Sequence, residues 1–423
     1  MFNQGLSLDQ APPISVPFRF FLTAPIFAML IGVMFLIYPA ELITNRFSSE
    51  TIAMVHMFTL GVLSMIIFGA MQQMMPVLAG APIKRAKLFA TVVHTFLTLG
   101  TIFFVLKFLY YQNEFLIAAI VCLAISFLTF FITAIRLLFK VKYVTSTVNV
   151  MKLFAIAGVL TALLGLHLAG AHLSGNMGSN YLSFVNIHIL LGIFGFAALL
   201  IIGVSFQVIP MFYVALDFPK SVQNRLPLSI FLLIISYFAF AFLDLNFYIY
   251  KVLFAIFFVI YAFHGLNSLN NRRRPVSDVT LWYWKVSLYS LVIAMLNWLF
   301  VPQDSSYFLT ILFAFGFLFS LLQGMVYKII PFLCWFHLSS KGYFDIPTIK
   351  EIIHEDLIKI HFYIYMASYV FFLLYGFFSQ IFITIAAILF ILSNILFFIN
   401  CVLGMRKYAS ISKKEPLQTF VQS

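Results

Sequence analysis

The sequence predicts an all-α membrane protein, a bundle of twelve transmembrane helices in three pseudo-equivalent groups of four. Three observations lead to this prediction. First, 63% of the residues are hydrophobic and 9% are charged, with a mean hydropathy of +1.06, whereas a soluble surface needs roughly a quarter to a third of charged residues. Second, twelve apolar stretches each approach the ~20 residues that a membrane helix requires. Third, one short motif recurs in every fourth stretch.

Charged residues and Pro/Gly clusters divide the chain into these apolar stretches. The stretches do not alternate apolar and polar residues as the strands of a membrane barrel would, so helices are the expected structure. The predicted helices cover residues 17–38, 51–76, 87–107, 114–138, 149–169, 182–210, 226–243, 247–266, 280–300, 306–333, 359–378 and 380–403.

The recurring motif closes the second, sixth and tenth predicted helices. It consists of Gly, three residues, Gln or Lys, one residue, Met or Ile, and Pro. The copies are Gly69–Pro76, Gly203–Pro210 and Gly324–Pro331. A motif that returns after four helices is typical of a duplicated unit, so we predict a single transmembrane domain, 1–423, with pseudo-repeats at about 17–138, 149–266 and 280–403. Chance is the alternative, because Gly and Pro are common in membrane helices.

The formal net charge of +12 has a topological explanation. If the N-terminus is cytoplasmic, 20 of the 25 Lys and Arg residues fall on the cytoplasmic side, and the loops opposite keep Arg46, Lys107 and Lys251. This is the positive-inside pattern. It predicts a multi-pass protein of a bacterial inner membrane with both termini in the cytoplasm. Lipid is therefore the expected neighbour, and a nucleic-acid partner is not needed to explain the charge.

Four of the nine histidines converge on the predicted outer side: His56, His188, His167 and His172. Ionisable residues inside a membrane are costly and often mark a functional site, and neutral imidazole is a ligand for haem iron and copper. We predict His56 as one axial haem ligand and His188 or His167 as the other, with His172 and the mid-membrane His94 as further candidate metal ligands. A hydrogen bond to Ser, Thr or a backbone carbonyl is the alternative for each of them.

Gln73, Gln207 and Lys328 occupy one equivalent position in the three motif copies, near the predicted inner surface. A polar ring around the pseudo-axis is one interpretation, and snorkelling of the Lys328 side chain to the interface is the other. Four histidines are expected at the inner surface in solvated or interfacial positions: His264, His337, His354 and His361.

Twelve spans in three groups of four, with an outer histidine on helix two, resemble subunit I of the heme-copper oxidase superfamily, in which that histidine ligates the low-spin haem. His56, Gly61, Gly69, Pro76 and Gly80 are similar in type and spacing to helix two of the NnrS family, membrane proteins with haem and copper that are associated with nitric-oxide stress. The resemblance implies a haem-ligand role for His56 and a copper role for His188.

The chain also departs from both families. An oxidase of the superfamily has paired histidines on helix seven and further ones on helix ten. Here the seventh predicted helix has none, and His337 follows Pro331 at the wrong end of the tenth. Met54 stands where the NnrS pattern has a second histidine ahead of His56. A complete binuclear centre for reducing oxygen or nitric oxide is therefore not expected.

The sequence thus predicts an inner-membrane protein of heme-copper-oxidase-like architecture that binds haem b, with copper as a second candidate cofactor. Its expected role lies in respiratory or nitric-oxide-stress physiology, through electron transfer with a respiratory partner, sensing or detoxification. The sequence does not decide whether the protein is an enzyme, and a non-enzymatic role is favoured. If the protein is an enzyme, an oxidoreductase is expected. Two alternatives remain: a twelve-helix secondary transporter, which internal repeats suit equally well, and a haem or copper assembly factor.

Overall fold

The structure is a computed structural model that describes residues 10–39, 45–242, 247–301, 306–343, 346–377 and 380–414. Within these ranges the regular secondary structure is helical throughout. A one-turn helix, Ile349–Ile352, accompanies twelve long ones. The long helices are α1 Ser15–Ile37, α2 Ser49–Ala79, α3 Ala86–Tyr110, α4 Asn113–Leu138, α5 Ser146–Ser174, α6 Tyr181–Tyr213, α7 Lys220–Phe240, α8 Tyr248–Asn270, α9 Thr280–Phe300, α10 Tyr307–Ser339, α11 Glu355–Tyr375 and α12 Ile381–Ile411.

Among the described residues, eleven of these helices are long and apolar enough to cross a membrane. The remaining one, α9, has 21 residues, and its aromatic residues, Lys285 and Asn297 lower its hydropathy. The predicted class, an all-α multi-pass membrane protein, is confirmed. The division into three groups of four stays a prediction.

The three central helices extend past their predicted ends: α2 and α6 continue beyond the prolines at 76 and 210 where they were predicted to end, and α10 reaches Ser339 instead of 333. Pro76, Pro210 and Pro331 all lie inside their helices. Membrane helices tolerate proline because neighbouring groups can satisfy the carbonyl that it leaves free. The final helix continues to Ile411, eight residues past its predicted end at 403, since a helix does not have to end where the membrane does.

Three helices, α2, α6 and α10, form the centre of the bundle. In their apolar windows 72%, 78% and 83% of the residues are buried, against 22% to 56% in the other apolar spans. Each central helix packs on the one before it, α2 on α1, α6 on α5 and α10 on α9. Outside them α4 packs on α5, α8 on α9, and α12 returns to α1. These contacts place the motif-bearing helices inside a ring of outer helices.

The motif glycines let the central helices approach their neighbours closely. A Cβ atom added at Gly69, Gly203 or Gly324 would lie closer than 3.0 Å to a side chain of α1, α5 or α9, respectively. Small residues allow this kind of approach in membrane bundles, where close packing replaces the hydrophobic effect as the attraction between helices. The glycine of the motif therefore has a packing role in all three copies.

Each central helix also contains a π-helical segment, which the sequence reasoning did not predict. The wider turn leaves some carbonyls without their usual partner, and two serines compensate: Ser64 donates to the carbonyl of Thr59 over 2.8 Å, and Ser320 donates to that of Phe315 over 3.0 Å. π-Helical segments are rare in proteins, and those that occur are often found at functional sites. The three segments of this protein are Met57–Ser64 in α2, Leu191–Ala198 in α6 and Ile311–Phe319 in α10.

Candidate functional site

His56 and His188 face each other between α2 and α6. Each is the eighth residue of its helix, and each comes shortly before a π-helical segment. Their ring centroids are 6.2 Å apart, and their ring planes differ by 16°. Two imidazoles from different central helices therefore meet at the predicted outer side of the bundle.

Hydrogen bonds to backbone carbonyls determine which nitrogen of each imidazole carries the proton and which keeps its lone pair. Nδ1 of His56 lies 2.9 Å from the carbonyl oxygen of Ile52, and Nδ1 of His188 lies 3.1 Å from that of Thr161. A carbonyl oxygen can only accept a hydrogen bond, so both Nδ1 atoms carry the proton. Both Nε2 atoms keep a lone pair that can bind a metal.

Neighbouring residues hold the two rings in position. Phe104 of α3 packs against His56 with ring centroids 4.3 Å apart. On the other side, Gly165 of α5 makes room for His188, because a Cβ atom there would lie 3.1 Å from Cε1 of the imidazole. The half-buried pair thus has an aromatic ring on one side and a residue without a side chain on the other.

The separation of the rings fits a shared metal. Metal–imidazole bonds are about 2 Å long, so two rings that bind one metal through Nε2 have centroids roughly 6 Å apart. Metal-binding histidines usually donate their other N–H to a carbonyl or carboxylate, as both do here. If a haem were bound here, the two imidazoles could supply up to two protein ligands to its iron, one from each central helix.

The structure gives the other two outer histidines different neighbours. The Nε2 atom of His172 lies 3.0 Å from the Tyr181 hydroxyl. His167 is exposed, and its ring meets Phe184 edge-on at 4.6 Å. For these two histidines the structure provides ordinary polar and aromatic neighbours.

His94 is the ninth of the 25 residues of α3. Its Nε2 is 2.8 Å from the Thr23 hydroxyl of α1, which agrees with the hydrogen-bond alternative. Within the described part of the chain, no group of three or more His, Cys, Asp or Glu side chains is placed to hold a metal ion.

The three equivalent motif positions have different environments. Lys328 forms an ion pair with Asp278 in the turn before α9, and its Nζ lies 4.9 Å from the centre of the Tyr213 ring. Gln73 is buried and lines a cavity between the central helices, whereas Gln207 is half-buried. The Lys328 side chain is therefore engaged inside the protein and does not simply snorkel to the interface.

Two histidines expected at the inner surface are buried instead, which corrects that prediction for His361 and His337. His361 is 0% exposed, and its Nδ1 lies 2.6 Å from the hydroxyl of Tyr283. The helices around it supply enough aromatic surface to remove it from solvent. His354 is exposed and His264 is half-buried, as a surface or interfacial position requires.

His361 belongs to a buried polar network that sequence reasoning missed. Hydroxyl and amide groups of α9 to α12 form hydrogen bonds across the helix interfaces. Three of the residues involved, His361, Tyr365 and Tyr369, recur at intervals of four along α11 and so share one face. That spacing could have indicated the shared face from the sequence alone. The bonds join Ser320 to Tyr365 over 3.3 Å, Ser290 to Tyr369 over 3.0 Å and Asn400 to Tyr327 over 2.9 Å.

Comparisons with known proteins do not identify the chain. No model of a known protein family matches the sequence, and no curated protein matches it. The likeness to heme-copper oxidases and to NnrS proteins therefore depends on the residues quoted above.

Proposed function

We propose that the protein is a haem-binding membrane protein of heme-copper-oxidase-like architecture, in which His56 and His188 are the axial ligands of a b-type haem. One observation supports this more than any other. Two imidazoles from different central helices face each other at 6.2 Å, and each has its Nδ1 bonded to a backbone carbonyl.

The protein's own groups would set the properties of such a centre. The carbonyls of Ile52 and Thr161 keep Nε2 of each ring available and increase its basicity as a ligand. A bound haem would supply a one-electron redox centre. Because the pair would fill both axial positions, the arrangement favours electron transfer or sensing over reduction of oxygen at the iron.

The depth of the pair agrees with a redox role at the outer side. His56 is the eighth residue of α2, so it lies only about 10 Å along the helix from its start. An electron-transfer partner in the periplasm could approach to that distance. The distribution of Lys and Arg residues supports a bacterial inner membrane with both termini in the cytoplasm, and this setting is consistent with respiratory or nitric-oxide-stress physiology.

Absorption spectroscopy and metal analysis of the purified full-length protein test the proposal. We expect a Soret band that shifts on reduction with dithionite and about one haem per chain. His56→Ala and His188→Ala should each lower the haem content or convert the spectrum to that of a five-coordinate haem. His167→Ala, at the same end of the bundle, is the matched control and should leave the spectrum unchanged.

Three results would contradict the proposal. A colourless purified protein without iron would refute haem binding. The transporter alternative would then be tested by uptake of candidate substrates into liposomes. A copper content without a Soret band would reassign the pair to copper. Weak haem loading, well below one per chain and unaffected by the two alanine variants, would favour an assembly factor.

A further inference from the structure

The predicted inner ends of α3, α4 and α5 form one basic surface, which we call the α3–α5 surface. The three helices are neighbours in the outer wall of the bundle, with α3 packed on α4 and α4 on α5. Lys152, near the start of α5, has its Nζ 5.3 Å from the centre of the Phe139 ring at the end of α4. Seven basic residues share this end of the three helices: Lys84, Arg85, Lys87, Arg136, Lys140, Lys142 and Lys152.

The protein supplies no negative charge to the α3–α5 surface. The two stretches that carry the seven basic residues, 84–87 and 136–152, contain no Asp or Glu. None of the seven side chains forms an ion pair with a residue that the structure describes. Six of them are exposed, and Lys152 is half-buried. Their charges are therefore available to an anion from outside the protein.

Another part of the predicted inner side is built differently. The segment 341–359 contains three Lys residues and four acidic residues. Within it Lys350 pairs with Glu355 over 3.2 Å, and Lys359 pairs with Asp356 over 3.3 Å. The positive-inside pattern explains why cations lie on this side of the membrane. It does not explain why the α3–α5 surface has no acidic residues among its cations.

The lipid-facing side of α4 leads directly to the cations. Leu128 and Ile132 are 54% and 43% exposed. Arg136 and Lys140 follow at further intervals of four residues and are also exposed. Residues four apart lie above one another on a helix, so one stripe changes from apolar to basic where α4 leaves the predicted membrane. An acyl chain that lies along this stripe brings its headgroup to the two cations.

Aromatic and apolar side chains mark the same depth as the interface. Tyr143, in the loop that follows α4, is 89% exposed, and Phe139 is 56% exposed. Leu88, in the first turn of α3, is also exposed. Tyrosine is enriched at the headgroup level of membranes. The cations therefore lie where lipid headgroups are expected.

We propose that the α3–α5 surface binds anionic phospholipid of the cytoplasmic leaflet, with the phosphate beside Arg136 and Lys140 and an acyl chain along Ile132 and Leu128. Basic clusters at the cytoplasmic ends of membrane helices attract anionic headgroups. An acidic soluble protein would match the charge equally well, but it could not cover the apolar part of the stripe inside the membrane. The proposal does not depend on the histidine pair.

Native mass spectrometry of the full-length protein in detergent tests the proposal. The protein is titrated with phosphatidylglycerol and, separately, with phosphatidylcholine that has the same acyl chains. Each cation near a headgroup contributes about fivefold to the affinity, so two should give phosphatidylglycerol a preference of more than about tenfold. The preference should fall as the concentration of ammonium acetate is raised, because salt screens exposed charges.

Two double variants locate the binding. Arg136→Gln/Lys140→Gln should weaken phosphatidylglycerol binding by more than about tenfold and leave phosphatidylcholine binding unchanged. Lys350→Gln/Lys359→Gln is the matched control. It changes the net charge by the same amount but removes cations that already have acidic partners, so the affinity should change by less than about twofold.

Equal affinities of the parent protein for the two lipids would overturn the proposal, as would equal losses in the two double variants. Either result would leave an acidic soluble protein as the partner that the charge favours. If the Arg136→Gln/Lys140→Gln protein does not fold, Lys84→Gln/Lys87→Gln on the α3 side of the same surface takes its place against the same control.

Discussion

The hydroxyl of Tyr283 and Nδ1 of His361 lie 2.6 Å apart between α9 and α11. Both side chains are fully buried, and Nε2 of His361 has no hydrogen-bond partner in the described part of the chain. The rings of Tyr327 and Tyr365 lie 5.5 Å and 6.2 Å from the imidazole. An ionisable group is thus held in the interior by one short polar contact and by aromatic packing.

Removing this contact should destabilise the protein. Tyr283→Phe leaves the imidazole without a polar partner, and we expect a loss of about 1 kcal/mol in the free energy of unfolding. The measurement is the midpoint of thermal unfolding in detergent. Tyr289→Phe on the same helix is the control, because that side chain is 52% exposed and its loss should have almost no effect. Equal midpoints for the two variants would show that the buried contact contributes nothing.

A methyl group next to His188 should disturb the proposed haem site. In Gly165→Ala the new Cβ would lie 3.1 Å from Cε1 of His188, which is tight enough to displace the ring by a few tenths of an ångström. We expect a changed low-spin signal in electron paramagnetic resonance, or a lower haem content. Gly170→Ala, on the same helix with nothing within 4 Å of its added Cβ, is the matched control. A haem spectrum that is the same in both variants would contradict the assignment of His188.

The packing of the motif glycine can be tested with a double-mutant cycle. A Cβ atom at position 203 would overlap the side chain of Val150 on α5, so Gly203→Ala should cost about 1–3 kcal/mol through overpacking. Val150→Ala on its own leaves a gap. In the double variant the Cγ atoms of Val150 no longer oppose the new methyl group, while Cβ of residue 150 still lies 2.4 Å from it. Part of the overpacking is thus relieved, and the combined loss should be smaller than the sum of the two. Additive losses in thermal unfolding would mean that the two residues are not coupled.

Val214 ends α6 in the left-handed conformation, with φ at 51°, where a β-branched residue is strained. Gly80 ends α2 in the same conformation, with φ at 61°. Val214→Gly should therefore increase the free energy of unfolding by up to about 1 kcal/mol, after the greater chain entropy of glycine is subtracted, and so raise the midpoint of thermal unfolding. The reciprocal change, Gly80→Val, should lower it. A fall in stability for Val214→Gly would show that the side chain contributes more than its strain costs.

The candidate sites were only partly predictable. Sequence reasoning placed His56 and His188 at the same depth, because depth follows from the residue count along a helix. It could not separate His167 from His188 as a partner, because the direction of a side chain depends on how each helix is rotated in the bundle. The burial of His361 was missed for the same reason, since its surroundings come from α9, α10 and α12.

By itself the sequence determined the membrane class, the twelve helices and the recurrence of the motif in α2, α6 and α10. Hydropathy and spacing are local properties, and a chain of this composition can satisfy its backbone in a bilayer only by forming helices. The tertiary structure decided which imidazoles face each other and where the π-helical segments lie. These features depend on the rotation and closeness of helices far apart in the chain, which packing sets and composition does not.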